Sequence, residues 1–135
     1  MRVVCDTNVY VSAFAVPGSL SDEAYRRARG GEVKLFTSVA ILTELASKLR
    51  EKFGWGEPPI TAALKSVSRV AAVVKTTAHL TVVPDATDNR ILECATLVAA
   101  DLIVNGDRHL LKLRRFGPAG VVMVSTFLRV IERPA

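Results

Sequence analysis

At 135 residues the chain is the size of one domain and can bury a core without disulfide or metal staples. Half of its residues are apolar, yet no apolar run reaches the roughly 18 residues of a membrane span, and the N-terminus lacks the apolar stretch and cleavage site of a signal peptide, so a soluble, cytoplasmic protein is expected. The 18 Lys and Arg against 13 Asp and Glu give a net charge of +5, which points to a polyanionic partner, while two cysteines, Cys5 and Cys94, are too few for a disulfide framework or a zinc site and are expected to be reduced and buried.

Arg2 to Cys5 is short, apolar and β-branched, the composition of a buried strand, and it runs straight into the carboxylate of Asp6 and the amide of Asn8. "VYVSAFA" predicts a short helix broken near Pro17 and Gly18, and Ser21 is placed to cap "DEAYRRAR", which Gly30 and Gly31 stop. "VKLFT" reads as the second strand, followed by a helix from about Val39 to Phe53. The Gly and Pro of "GWGEPP" predict a loop in which Trp55 is a packing anchor, and a helix follows Pro59 to about Val70. The stretch to Leu80 is ambiguous and "LTVV" reads as a weak strand. Next come a helix from about Asp88 to Ala100, the strand "LIVN", a short basic helix near Leu110, the strand "VVMVS" and a last turn of helix at "TFLRVI". No repeat, low-complexity tract or linker divides residues 1–135, so a single domain is predicted. Strands alternating with helices predict an α/β fold with right-handed crossovers and a parallel sheet covered on both faces.

Ligands of such sheets bind beyond the carboxyl ends of the strands. Asp6 follows the first strand and Asp107 follows "LIVNG", so two carboxylates are expected on that edge. In "SVAILTELASKL" successive residues turn by about 100°; Ile41, Leu42, Leu45, Leu49 and Phe53 then form one apolar stripe with Glu44 at its flank, facing a cleft beside the core. In "PDATDNRILECA" Asp88 suits an N-cap or first-turn position, and Asp85 a loop cap. Read singly, Asp6 and Asp88 are helix caps and Glu44 a surface residue. Together, four acids at one edge of a basic chain repel one another unless protonated or bound to cations, and hard oxygen ligands suit Mg2+ or Mn2+. Arg108, Lys112, Arg114 and Arg115 fall within eight residues without an acid, either a basic patch or a solvated face. His109 reads as solvent-facing or helix-capping, and His79 has no acidic or cysteine neighbour and receives no role.

With Asp6 in "DTN", Glu44 in an S-x5-EL setting that starts at Ser38, Asp88 opening the "ILECA" helix and Asp107 in "NGDRHLL", the chain resembles the PIN-domain ribonucleases. It is especially similar to the toxin components of type II toxin–antitoxin systems, over Met1 to about Val130. The resemblance implies a three-layer α/β/α sandwich around a central parallel sheet. It also implies an Mg2+ or Mn2+ site formed by Asp6, Glu44, Asp88 and Asp107, endonucleolytic cleavage of RNA leaving 5′ phosphates, and an antitoxin partner, with a homodimer left open. Asn8 matches the supporting polar residue of the first motif, beside Ser38. Asn105 stands where many members carry Thr or Ser two residues before the last Asp, and an amide can also hydrogen-bond a water or a carboxylate. For an RNA substrate, Arg90, Arg108, Lys112 and Arg114 are the expected phosphate contacts. Two other readings stay open. One is a non-catalytic nucleic-acid- or partner-binding module of the same fold, against which the presence of all four acids argues. The other is a haloacid-dehalogenase-like phosphatase suggested by "DTNV", in which an Asn stands where a second Asp is needed.

Overall fold

The computed structural model describes residues 1–106 and 109–132; Asp107 and Arg108, and the roles expected of them, lie outside the described residues. Along the chain, β1 (Arg2–Cys5) leads to α1 (Thr7–Ala15) and α2 (Leu20–Arg29), and β2 (Lys34–Ser38) to α3 (Val39–Phe53) and α4 (Glu57–Val70). β3 (Ala71–Val74) then leads to α5 (Ala86–Val98), and β4 (Leu102–Asn105) passes through a 3-10 turn at Leu110–Leu113 to the hairpin of β5 (Arg115–Phe116) and β6 (Ala119–Met123), which feeds α6 (Val124–Glu132). The strands form one sheet in the order β3-β2-β1-β4-β6-β5, parallel except for the edge strand β5. β1 and β4 lie inside it, with Val3, Val4, Ile103 and Val104 fully buried, as the unbroken apolar runs require of strands covered on both faces. No helix among the described residues is long and apolar enough to cross a membrane.

Chain direction sets the layers. The steps from β1 to β2 to β3 move one way across the sheet, whereas the connection from β3 to β4 runs back, so right-handed crossovers place α5 on the face opposite α1 and α2. On one face Tyr10 of α1 meets Tyr25 of α2 edge to face, ring centroids 6.1 Å apart, and Phe127 of α6 closes the same cluster over Cys5 and Leu35. On the other, α5 buries Ile91, Leu92 and Cys94 and packs on β1 and β2. The result is the three-layer α/β/α sandwich.

Several expected boundaries shift, each for a local reason. Ser19, not Ser21, caps α2, its hydroxyl accepting from the Asp22 amide at 3.1 Å, and Ser21 is buried inside the helix. Pro58 and Pro59 do not hold the chain in a loop but stand in the first turn of α4, where a helix needs no amide donor. Trp55 is half-buried against the core, as an anchor should be. "LTVV" is not a strand: Glu93 of α5 accepts from the Leu80 amide at 2.8 Å, and Asn89 both accepts from the Val83 amide at 3.0 Å and donates to its carbonyl at 2.8 Å. Those side chains occupy the backbone groups that a sheet neighbour would use. The last strand stops at Met123, and Val124 and Ser125 begin a longer helix than one turn. The two-residue edge strand β5 was not legible in the basic run, where Gly117 at φ 57 makes the turn.

Candidate active site

β1, β2 and β4 are parallel, so their carboxyl ends share one edge, and the first turns of α1 and α3 open there directly. Asp6, 3% exposed, is the N-cap of α1: its Oδ1 accepts from the Val9 amide at 3.1 Å, and both of its oxygens lie 3.1 Å from the Gly106 amide. Its own amide donates to the Val104 carbonyl at 2.9 Å. A carboxylate is thus clamped between the start of α1 and the end of β4. Only glycine permits that approach: a Cβ at position 106 would stand 2.8 Å from the Val9 nitrogen and 2.9 Å from the Asn8 carbonyl carbon.

Over this clamp opens a cleft of about 530 Å³ whose walls include Asn8, Glu44, Lys48, Asp88, Gly106 and His109. Glu44 reaches it because Ser38 starts α3, its hydroxyl accepting from the Ile41 amide at 3.2 Å, and because Ile41, Leu45 and Leu49 turn the apolar face of the helix into the core. Phe53, the last member of the expected stripe, is 47% exposed. Asp88 enters from the first turn of α5, which Asp85 rather than Asp88 caps: Asp85 accepts from the amide and the hydroxyl of Thr87, each at 2.8 Å. The Thr87 hydroxyl and amide hold the Asp85 carboxyl below the usual carboxylate range. Asn105 lies next to the clamp with no exposed surface, and neither its amide nitrogen nor its amide oxygen has a hydrogen-bond partner among the described residues. Such a buried amide costs about 1–3 kcal/mol and calls for an explanation.

The structure therefore brings Asn8, Glu44 and Asp88 to one cleft, with Asp6 bonded to its wall, Ser38 acting as the cap that aims α3, and Asn105 buried next to Gly106. The expected phosphate contacts are more scattered. Arg90 is turned inward, 2.7 Å from the buried Glu93 carboxylate and 3.3 Å from the Leu80 carbonyl, and is not among the cleft residues. Lys112 flanks an adjoining groove with Asp85, Asp88 and His109, and Arg114 is exposed at the end of the 3-10 turn. Sequence reasoning missed Lys48, whose ammonium donates to Asn8 Oδ1 at 2.8 Å and lies 3.9 Å from Glu44 Oε1. It also gave His109 no part. That residue is solvent-facing as expected, but its Nδ1 is 3.9 Å from Asp88 Oδ2, and ligand atoms of Asp85, Asp88 and His109 all lie within 4.8 Å of one another.

Three features fit a hard divalent cation: oxygen donors predominate, the buried Asn105 amide is unpaired among the described residues, and a glycine leaves room for the backbone to close around Asp6. The Asp85, Asp88 and His109 group can hold a metal ion. Comparison with known proteins agrees with the geometry. The chain is 31% identical over 123 residues, covering 84% of this chain and 76% of the relative, to an uncharacterized protein of Methanocaldococcus jannaschii. The sequence profile of the PIN domain, a fold whose members are generally metal-dependent nucleases, matches residues 2–109, from the first strand through the last wall of the cleft, and the chain belongs to the PIN-domain family.

Proposed function

We propose that this chain is a metal-dependent endoribonuclease that cleaves RNA phosphodiesters and serves as the toxin of a type II toxin–antitoxin pair. The observation that supports the reading best is the convergence of acids from distant stretches: Glu44 and Asp88 line one cleft, and Asp6 is held against its wall through Gly106. Asp6, Glu44, Asp88 and Asp107 would hold the ion, Mg2+ or Mn2+, which when bound supplies an activated water and offsets the charge that builds up on the phosphate. The chain does the rest. The Val9 and Gly106 amides fix the Asp6 carboxylate, Lys48 fixes Asn8, and the Ser38 cap keeps Glu44 at the cleft. The excess of basic residues favours a polyanionic substrate. The toxin role and the antitoxin partner rest on the sequence resemblance.

A labelled single-stranded RNA incubated with the protein, with and without Mn2+, tests the activity. Fragments bearing 5′ phosphates should form only with the ion, and Asp6→Asn should abolish them while RNA affinity persists. RNA that is retarded but uncut even with Mn2+ would make the chain a binding module, and phosphate released from small esters would make it a phosphatase. Full cutting in excess EDTA would remove the metal site. For the biological role, induced expression should arrest growth of a bacterial host and the Asp6→Asn protein should not; growth unaffected by the wild-type nuclease would remove the toxin reading.

A further inference from the structure

We infer that Lys48 and Lys52 of α3 form a phosphate-binding rail in the cleft, along which a single RNA strand is held beside the carboxylates; this rests on the ribonuclease reading above. A cleft walled by Glu44, Asp85 and Asp88 repels the strand it has to admit, and without a metal ion only cations of the chain can offset that charge at short range. Among the described residues, the basic side chains expected for the task are placed elsewhere, with Arg90 tied to Glu93, Lys112 on the adjoining groove and Arg114 exposed at the end of the 3-10 turn. Lys48 and Lys52 are in the cleft. They follow Glu44 at one-turn intervals, each about 6 Å further along the axis and rotated by only about 40°, so the three side chains run down one wall. Helical side chains lean toward the N-terminus of their helix, here the carboxyl edge of the sheet where the acids stand. Lys48 is mostly buried, 18% exposed, and oriented by Asn8 and Glu44, which sets its position before any strand arrives, while Lys52 is exposed at the outer end.

Binding in EDTA tests the rail apart from catalysis. The anisotropy of a fluorescent single-stranded RNA is titrated with wild type, the Lys48→Met/Lys52→Met pair, the Lys48→Arg/Lys52→Arg pair and an Arg29→Met/Lys34→Met control. The control removes two charges from the opposite edge of the sheet, and thermal melts check that each variant is folded. The methionine pair should bind more weakly and flatten the log–log salt dependence by up to about 1.4, which is about 0.7 for each phosphate that is no longer neutralised. The arginine pair and the control should keep the wild-type slope. A methionine pair with the slope of wild type, a control that flattens equally, or a wild type without RNA affinity in EDTA would each overturn the rail. Single-stranded DNA of the same length should show the same change of slope, and a change confined to RNA would overturn phosphate recognition as its basis. If the rail passes but wild type does not cut RNA with Mn2+, the ribonuclease reading fails alone.

Discussion

Asp6 is held by backbone amides from two segments far apart in the chain, Val9 at the start of α1 and Gly106 after β4, so its orientation depends on how closely those segments approach. Gly106→Ala puts a methyl group against backbone atoms at 2.8 and 2.9 Å, which cannot move aside as a flexible side chain can. The expected outcome is a loss of about 1–3 kcal/mol, the usual range for overpacking, with RNA cleavage reduced by more than the unfolded fraction explains. Urea titration and cleavage rates on the same sample check this, and wild-type activity with wild-type stability would show that the clamp is slack. The thiols make a second case. Burial pushes Cys94 up to about 12 and raises Cys5 further, so both are protonated at pH 8 and should resist iodoacetamide in the native protein and react once urea unfolds it. Fast native labelling counted by mass spectrometry would contradict their burial. For Asp85 the folded value is lowered, so its contribution to stability is present above the unfolded value of about 3.9 and is lost as the pH falls from there through the folded value. Asp85→Asn should therefore be less stable than wild type at pH 7, and urea midpoints should draw together at pH 3.

Three helices carry the site, and each is set by a cap, Asp6 for α1, Ser38 for α3 and Asp85 for α5. Ser38→Ala should cost about 1 kcal/mol, the usual worth of a hydroxyl N-cap, and because α3 carries Glu44, Lys48 and Lys52, RNA affinity and cleavage should fall with it. A stability loss without any effect on RNA would mean that the core, not the cap, aims the helix. Asn89→Ala tests the other side: it strands the Val83 amide and carbonyl, so amide exchange should accelerate from Leu80 to Asp85 first and β1 should keep its protection. At this scale the main strands and α3 were legible, since β-branched runs such as "RVVC" and "LIVN" and the stripe of Ile41, Leu45 and Leu49 are local signals. What misled was decided at a distance. "LTVV" has the composition of a strand but is held as a loop by side chains that arrive from α5, and Pro58 marks a helix start rather than a break because Gly56 caps ahead of it. Asp6, Glu44 and Asp88 could be picked out by their offset from strand ends and helix starts. Lys48 could not, since a lysine four residues after a glutamate reads as an ordinary surface pair until Asn8 is brought to it.

Over the whole molecule the charges are arranged against the local gradient, a chain of net charge +5 with acids gathered at one edge of its sheet. Lys48 beside Glu44 tempers the repulsion there, but Asp85 and Asp88 remain close enough to share a ligand. A cation that binds only the folded chain stabilises it by RT ln(1 + [L]/Kd), about 2.7 kcal/mol at a hundredfold excess over Kd. The melting temperature should therefore climb steadily through an Mn2+ titration and return on adding EDTA. Asp88→Asn separates a metal ligand from a mere helix residue. Without metal two effects oppose: the first turn of α5 loses a negative charge that the peptide dipoles favour, worth about 0.3–1 kcal/mol, and the cleft loses one member of its repelling set. The metal-free variant should accordingly melt close to wild type. Its response to Mn2+ has no such cancellation, because an amide binds a hard cation more weakly than a carboxylate does, and the shift at a fixed Mn2+ concentration should shrink markedly. Lys112→Ala, on the adjoining groove, removes a charge of the opposite sign without removing a ligand and should leave the shift intact or enlarge it slightly. Equal Mn2+ shifts in wild type and Asp88→Asn would place the ion elsewhere and return Asp88 to the role of a favourable charge at the start of α5.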